Sequence, residues 1–349
     1  MAEILGLGLT HYPPLSWTDD RMAVILKRTL EDPDIPEHLR DPAGWPEEMR
    51  REWGDDAGVT AGATHRKRLV EGLRECRRAL DAFAPDVVLV WGDDQYENFR
   101  EEIIPPFCVM AQDDMELRPF AHKDWPNAWG EPADTTFTMR GARAVAKDLV
   151  SGLLGENFDV AYSYRPREGA EFPHAFVNTM LYLDYDRTGF DYPILPISVN
   201  CYGSSVISRQ GGMASFAEIR EAGEPDPPAP TPARCFALGA AIARVLTAGS
   251  QRVALVASSS WSHAFLNDKD WHLYPDIPSD RRFFEALQNA DYDAWRSVPL
   301  ANLERDGQHE MLNWFCLMGA MAELGKTPRW SDLVETHVLN SNKCFVVFD

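Results

Sequence analysis

The stretch DVVLVWGDDQYENF, residues 86–99, decides how the chain is read. A run of Val and Leu leads into Trp91 and breaks at Gly92 into acids and amides. The run reads as a buried strand. A strand end that opens onto a polar loop is where α/β proteins keep their chemistry. Just before it, ATHRKRLVEGLRECRRALDAFA spaces Leu69, Val70, Leu73, Cys76, Leu80 and Phe83 along one helical face. Earlier still, EILGLGLTH reads as a first strand ending at His11. Strand, helix, strand is the parallel crossover unit.

The alternation continues outward. HYPPLSW forces a loop, because prolines stop regular structure, and DDRMAVILKRTL reads as a helix with an acidic start. Residues around 32–60, rich in Pro, Trp and charge, read as a surface excursion, and residues 112–138 as loop. PPFCVMAQ, FDVAYSY, YPILPISVNCY, RVALVASSS and KCFVVFD read as strands. RGARAVAKDLVSGLLGEN, ARCFALGAAIARVLTAG, SDRRFFEALQNA and HEMLNWFCLMGAMAEL read as helices. The expected fold is α/β: a single domain over residues 1–349, with a large, mostly parallel or mixed central sheet covered by helices.

Composition narrows the function. A formal net charge of -20 repels nucleic-acid phosphates and anionic membrane surfaces, so neither is an expected partner. The six Cys form no CxxC pair and read as buried, reduced thiols. The N-terminus lacks a basic signal-peptide region and no apolar run is long enough to span a bilayer, so a cytoplasmic location is expected. Apolar helices near the C-terminus make a homo-oligomer plausible.

Nine His occur; His11 and His263 follow predicted strand ends, and His122 and His174 sit in polar loops. Parallel strands end on one edge, so His11, Gln95 and His263 are expected to converge. ASSSWSHAF offers serines but no GxSxG elbow. GLGLTH lacks a third glycine, and no HExxH helix occurs. What survives is a non-haem Fe(II) site, two His and a carboxylate leaving open positions. Asp93 and Asp94 are candidates to ligate, to orient His11, or to hold the turn through side-chain bonds to backbone. Glu310 and Asn313, one helical turn apart, share a face as a hydrogen-bond pair behind the site or a buried cap. Arg165 and Arg167 precede His174 and suit a substrate carboxylate. Tyr12, Trp17, Trp91, Tyr96, Phe99, Trp261 and Phe265 could wall a pocket for a planar substrate.

In their order, GLGLTHYPP, DVVLVWGDDQ, FPHAFVNTMLYL, YPILPISVN and RVALVASSSWSH resemble the class III (LigB-type) extradiol ring-cleavage dioxygenases over about residues 3–285, with HEMLNW a further family-like segment. The resemblance implies a LigB-like α/β fold, mononuclear Fe(II), and O₂-dependent opening of a catechol-type ring in aromatic compound catabolism. It places His11 at the first His ligand and His174 at the acid/base His. His122 falls in the region of another active-site His, and His263 lines the pocket; Tyr96 and Arg165, from their place in the loops, are the further expected substrate contacts. There are two departures. The position of the second His ligand falls on Gln95. The carboxylate position falls on Pro278, between Asp276 and Asp280. The expected metal ligands are therefore His11, Gln95 and Asp280, with His272 as a further donor. Two other accounts stand beside this one: a metal-independent acid/base hydrolase or lyase working through His174 and His122, and a non-catalytic relative serving as a partner subunit.

Overall fold

The strands, in chain order, are β1 (Glu3–Leu9), β2 (Val87–Asp93), β3 (Phe107–Met110), β4 (Met115–Leu117), β5 (Phe137–Met139), β6 (Ala161–Ser163), β7 (Ile194–Val199), β8 (Arg252–Ser258), β9 (Pro328–Val334) and β10 (Lys343–Phe348). The computed structural model describes residues 2–121 and 125–349. Eight strands form one sheet in the order β6-β3-β7-β2-β8-β1-β10-β9, and β4 pairs with β5 apart from it. The centre is parallel: β8 lies between β1 and β2, and β2 pairs with β7. The flanks are antiparallel, where β3 meets β7 and β10 meets β1. The sheet is therefore mixed around a parallel core.

The helices that matter for the site are α1 (Val59–Phe83), α2 (Arg143–Gly155), α3 (His174–Leu183), α4 (Pro232–Thr247), α5 (Ile277–Gln288) and α6 (Leu312–Glu323). Every residue of β2 is buried, as a strand covered on both faces must be. Its side chains alternate between two cores. Leu89 and Trp91 pack with Leu238 of α4 and Phe315 of α6. Val88 and Val90 face Leu69 and Leu73 of α1 and Met180 of α3.

Glycines set how closely α6 approaches. A Cβ on Gly8 would lie 2.2 Å from the Trp314 ring, and one on Gly239 of α4 would lie 1.7 Å from the Cys316 carbonyl oxygen. GLGL in β1 is thus a seat for α6, and α6 in turn determines where the segment before it reaches the strand ends.

Several elements differ from the sequence reading. Residues 174–183 form a helix buried at every position except His174, so there was no polar face to betray its period. Pro328–Val334 is a half-exposed edge strand that, among the described residues, pairs only with β10. FDVAYSY contributes just Ala161–Ser163, and residues 112–138, expected as loop, contain β4 and contribute the first residues of β5. The excursion carries short helices at Glu37–Arg40 and Glu47–Trp53. All six cysteines are buried and free. Among the described residues, no helix is long and apolar enough to cross a membrane.

Candidate metal centre and its adjoining cavity

Because β1, β2 and β8 run parallel, His11, Asp93 and the loop carrying His263 leave the sheet at one edge. The chain before α6 crosses the same edge as a tight turn, His309–Met311, and brings in Glu310. Ser259 Oγ donates to the Glu310 carbonyl at 2.8 Å and Trp314 Nε1 to the Ser259 carbonyl at 3.1 Å, so the β8 loop clamps this turn.

One ligand atom from each of His11, Asp93 and Glu310 comes within 4.8 Å of the other two, and all three residues are buried. His11 Nε2 lies 3.6 Å from Asp93 Oδ1 and 3.7 Å from Glu310 Oε2. The other ring nitrogen, Nδ1, is 2.8 Å from the Ser258 carbonyl oxygen. A carbonyl only accepts, so Nδ1 carries the proton. In the neutral ring Nε2 then presents a lone pair to two carboxylates. Burial holds the His11 ring down at about 4, so it is neutral at pH 7. Burial, with Asp93 beside it, pushes the Glu310 carboxyl well above the ordinary range.

The remaining oxygens show which atoms are taken. Gln95 Nε2 and the Tyr202 hydroxyl each donate to Glu310 Oε1 at 2.9 Å, which leaves Oε2 toward the imidazoles. His263 Nε2 stands 3.4 Å from Oε2, and burial holds that ring down at about 3. Asn313 Nδ2 reaches Asp93 Oδ1 at 3.3 Å, while Asp93 Oδ2 has no hydrogen-bond partner among the described residues. A divalent cation fits this set. It would take up the lone pair of His11 Nε2 and the carboxylate oxygens that lone pair faces, Asp93 Oδ1 and Glu310 Oε2, and the backbone carbonyl on the far side of His11 fixes a ligand imidazole in the usual way.

Beside the cluster, the His174 ring meets that of His11 edge-on at 5.1 Å. Asn178 Nδ2 donates to the His11 carbonyl at 3.0 Å, tying α3 to the end of β1. His174 and Asn178 form one wall of a cavity of about 610 Å³, whose other walls include Trp17, Phe120, Phe172 and Leu181. That size, with aromatic walls beside the charged Glu97, Glu116, Arg118 and Glu171, suits a single aromatic ring with a polar side chain.

His11, Gln95 and His263 all come together at Glu310. Gln95 reaches it as a donor. Asp280, expected as a ligand, stands outside the cluster. Its oxygens accept from Ser262 N at 3.2 and 3.3 Å, from the Ser262 hydroxyl, from Gln308 Nε2 at 2.6 Å and from Asn342 Nδ2 at 2.7 Å. His272 is bonded to Asp268 at 2.6 Å. Tyr96 donates its hydroxyl to Glu101 at 3.0 Å, and Arg165 is exposed; neither is among the cavity walls. His122 lies outside the described residues. Asp93 and Asp94 divide the roles open to them: Asp94 Oδ1 accepts from the backbone N–H of Glu97 at 3.0 Å and of Phe99 at 3.2 Å, holding the turn. The serines of ASSSWSH are scaffold, bonded to His11, Glu310, Thr10 and Asp280.

Glu97 and Tyr202 carried no sequence signal. Glu310 carried one, since its shared face with Asn313 put a polar pair at the start of a buried helix, but nothing local aimed it at His11.

These features define an α/β protein with a buried imidazole–carboxylate cluster at the carboxyl edge of its sheet. No family model matches the chain. It is 27% identical over 196 residues to 2,3-dihydroxyphenylpropionate/2,3-dihydroxicinnamic acid 1,2-dioxygenase 2 of Pseudomonas putida, a match covering 56% of this chain and 49% of that protein. Enzymes named 2,3-dihydroxyphenylpropionate/2,3-dihydroxicinnamic acid 1,2-dioxygenase are 24% identical in Burkholderia vietnamiensis and 27% identical in Paraburkholderia phymatum, each match covering 72% of this chain and 80% of the relative. Among solved structures, an uncharacterized Escherichia coli K12 protein is 16% identical with a TM-score of 0.44, over 80% of this chain and 92% of that one.

Proposed function

We propose that this chain is an extradiol-type dioxygenase that holds Fe(II) through His11, Asp93 and Glu310 and opens a catechol-type ring with O₂. The observation that carries this reading is the meeting of His11 Nε2 with Asp93 Oδ1 and Glu310 Oε2, three buried acceptors with the Nδ1 proton turned away. The similarity to proteins named as ring-cleaving dioxygenases supports it. In this reading Asp93 takes over a ligand position that the family resemblance places at residue 95, and Gln95 backs Glu310.

Bound Fe(II) supplies the redox chemistry by which O₂ reacts with a catechol. The protein's own residues do the rest. Trp17, Phe120 and Phe172 hold the ring along the aromatic side of the cavity. His174, on the wall next to the cluster, takes a proton from a substrate hydroxyl and returns it later. His263, kept neutral by burial, sits beside Glu310. Gln95 and Tyr202 anchor Glu310 Oε1, so the carboxylate cannot rotate away.

The test is anaerobic purification with Fe(II), metal analysis, and an oxygen electrode with 2,3-dihydroxyphenylpropionate and other catechols. Stoichiometric iron and O₂ uptake, both lost in His11→Ala, are expected. Protein that binds no iron and turns over aromatic esters without O₂ would instead establish the metal-independent account.

A further inference from the structure

The turn that follows β2 delivers a second carboxylate, one with no part in the metal cluster. Glu97 Oε1 is 2.9 Å from His174 Nδ1 and accepts the His174 backbone N–H at 3.0 Å. Its other oxygen is 3.2 Å from the same N–H. One carboxylate therefore holds both the ring and the first backbone donor of α3.

The turn is built to keep Glu97 in place. Asp94 accepts backbone N–H groups from Glu97 and Phe99, closing the loop on itself. Tyr96 takes a left-handed conformation, φ +60°, which a bulky residue adopts only when its surroundings require it. The neighbouring Asn98 Oδ1 accepts the Arg167 N–H at 2.8 Å, joining the turn to the segment that leads into His174. Burial works to raise the Glu97 carboxyl, but His174 beside it holds it below its usual value, so it remains a carboxylate at neutral pH.

We infer that Glu97 is the positioning residue for His174: it keeps the ring proton on Nδ1, so that Nε2 presents the lone pair used to move the substrate's proton. The chemistry follows from the acceptor. A carboxylate has no proton to give, so the nitrogen that bonds it must be the N–H. A neutral imidazole held this way has one tautomer and one orientation, as a general base needs. Without the carboxylate the ring loses the acceptor that fixes its proton on Nδ1. Glu97 also caps the first N–H of α3, so a purely structural role is the rival explanation.

The experiment separates the two. Its first arm is the long-range ¹H–¹⁵N spectrum of histidine-labelled, metal-free protein, with His174 assigned by loss of its signals in His174→Gln. A proton on Nδ1 in the wild type, lost in Glu97→Ala and kept in Glu97→Gln, whose amide oxygen still accepts, is expected. A wild-type proton on Nε2, or a pattern unchanged by Glu97→Ala, overturns the inference.

The second arm rests on the ring-opening reading above. With iron-loaded enzyme and 2,3-dihydroxyphenylpropionate as probe, Glu97→Ala lowers kcat about a hundredfold. Iron content and KM stay close to wild type, and Glu97→Gln recovers part of the loss. A wild-type kcat in Glu97→Ala overturns the inference. A wild-type enzyme that never consumes O₂ counts against the ring-opening reading instead, and the spectrum alone then decides Glu97.

Discussion

Asp280 and Glu310 are both buried carboxylates near the carboxyl edge of the sheet, and the protein treats them in opposite ways. Asp280 is surrounded by neutral donors from Ser262, Gln308 and Asn342. Burial pushes its carboxyl up to about 7, with those donors pulling the other way. Its bonds tie together the segments that carry His263 and Glu310. Among the described residues Glu310 accepts hydrogen bonds on Oε1, and its other oxygen faces two imidazoles. A buried acid whose lone pairs are all used is scaffold; one left facing other acceptors is waiting for a cation or a proton.

The contrast can be broken most sharply at Glu310. Glu310→Gln keeps the size but removes the ligand charge, so iron affinity is expected to fall by more than about a hundredfold, with O₂ uptake lost. Thermal melts of the metal-free variant should show no loss of stability, because the repulsion with Asp93 is gone. A variant that still binds iron tightly would remove Glu310 from the ligand set.

Asp280→Asn should do the reverse. An amide NH₂ turned toward Ser262, Gln308 and Asn342 leaves donors facing donors, at about 1–3 kcal/mol. Urea melts at pH 8 measure this, and the folded variant should still load iron. Unchanged stability with lost iron would exchange the two roles.

A smaller effect concerns pH on the scaffold side. Burial works to raise the Asp306 carboxyl, but Arg305 and Lys269 outweigh it and hold it at about 2. A carboxyl lowered on folding contributes stability above its unfolded value near 4, and that contribution is lost as pH falls through about 2. Urea melts of Asp306→Asn should show less acid sensitivity across that window than the parent. Equal slopes would show that the ion pairs contribute nothing.

The smallest effects belong to two loop residues expected from the sequence to touch substrate. Tyr96 is bonded to Glu101, and Arg165 is exposed. Tyr96→Phe and Arg165→Ala should leave KM within about twofold, since exposed polar contacts add little. A tenfold rise in either would bring that residue back to the substrate.

Much of the molecule was legible before any coordinates. The apolar run of β2 and the helical face of α1 announced a parallel crossover, because hydrophobic period is a local property of the chain. His11 and His263 were legible for a related reason, since parallel strands end on one edge. The helix at 174–183 was hidden by its own burial, which erased the polar face that marks a period. Glu310 was visible only as a helix-face partner of Asn313.

The sequence by itself determined the alternation of strands and helices, the acidic balance and the strand ends where chemistry gathers. Only the tertiary structure decided which acid does what. Nothing in the local sequence of Glu310, Asp280 or Glu97 says what each of them touches. Their roles depend on strand order, on glycines that let α6 lie close against β1 and α4, and on a left-handed turn at Tyr96. Hydrophobic patterning is written between neighbours in the chain, whereas a ligand set is written between neighbours in space. Glu310 meets His11 across a gap in sequence that no local rule spans.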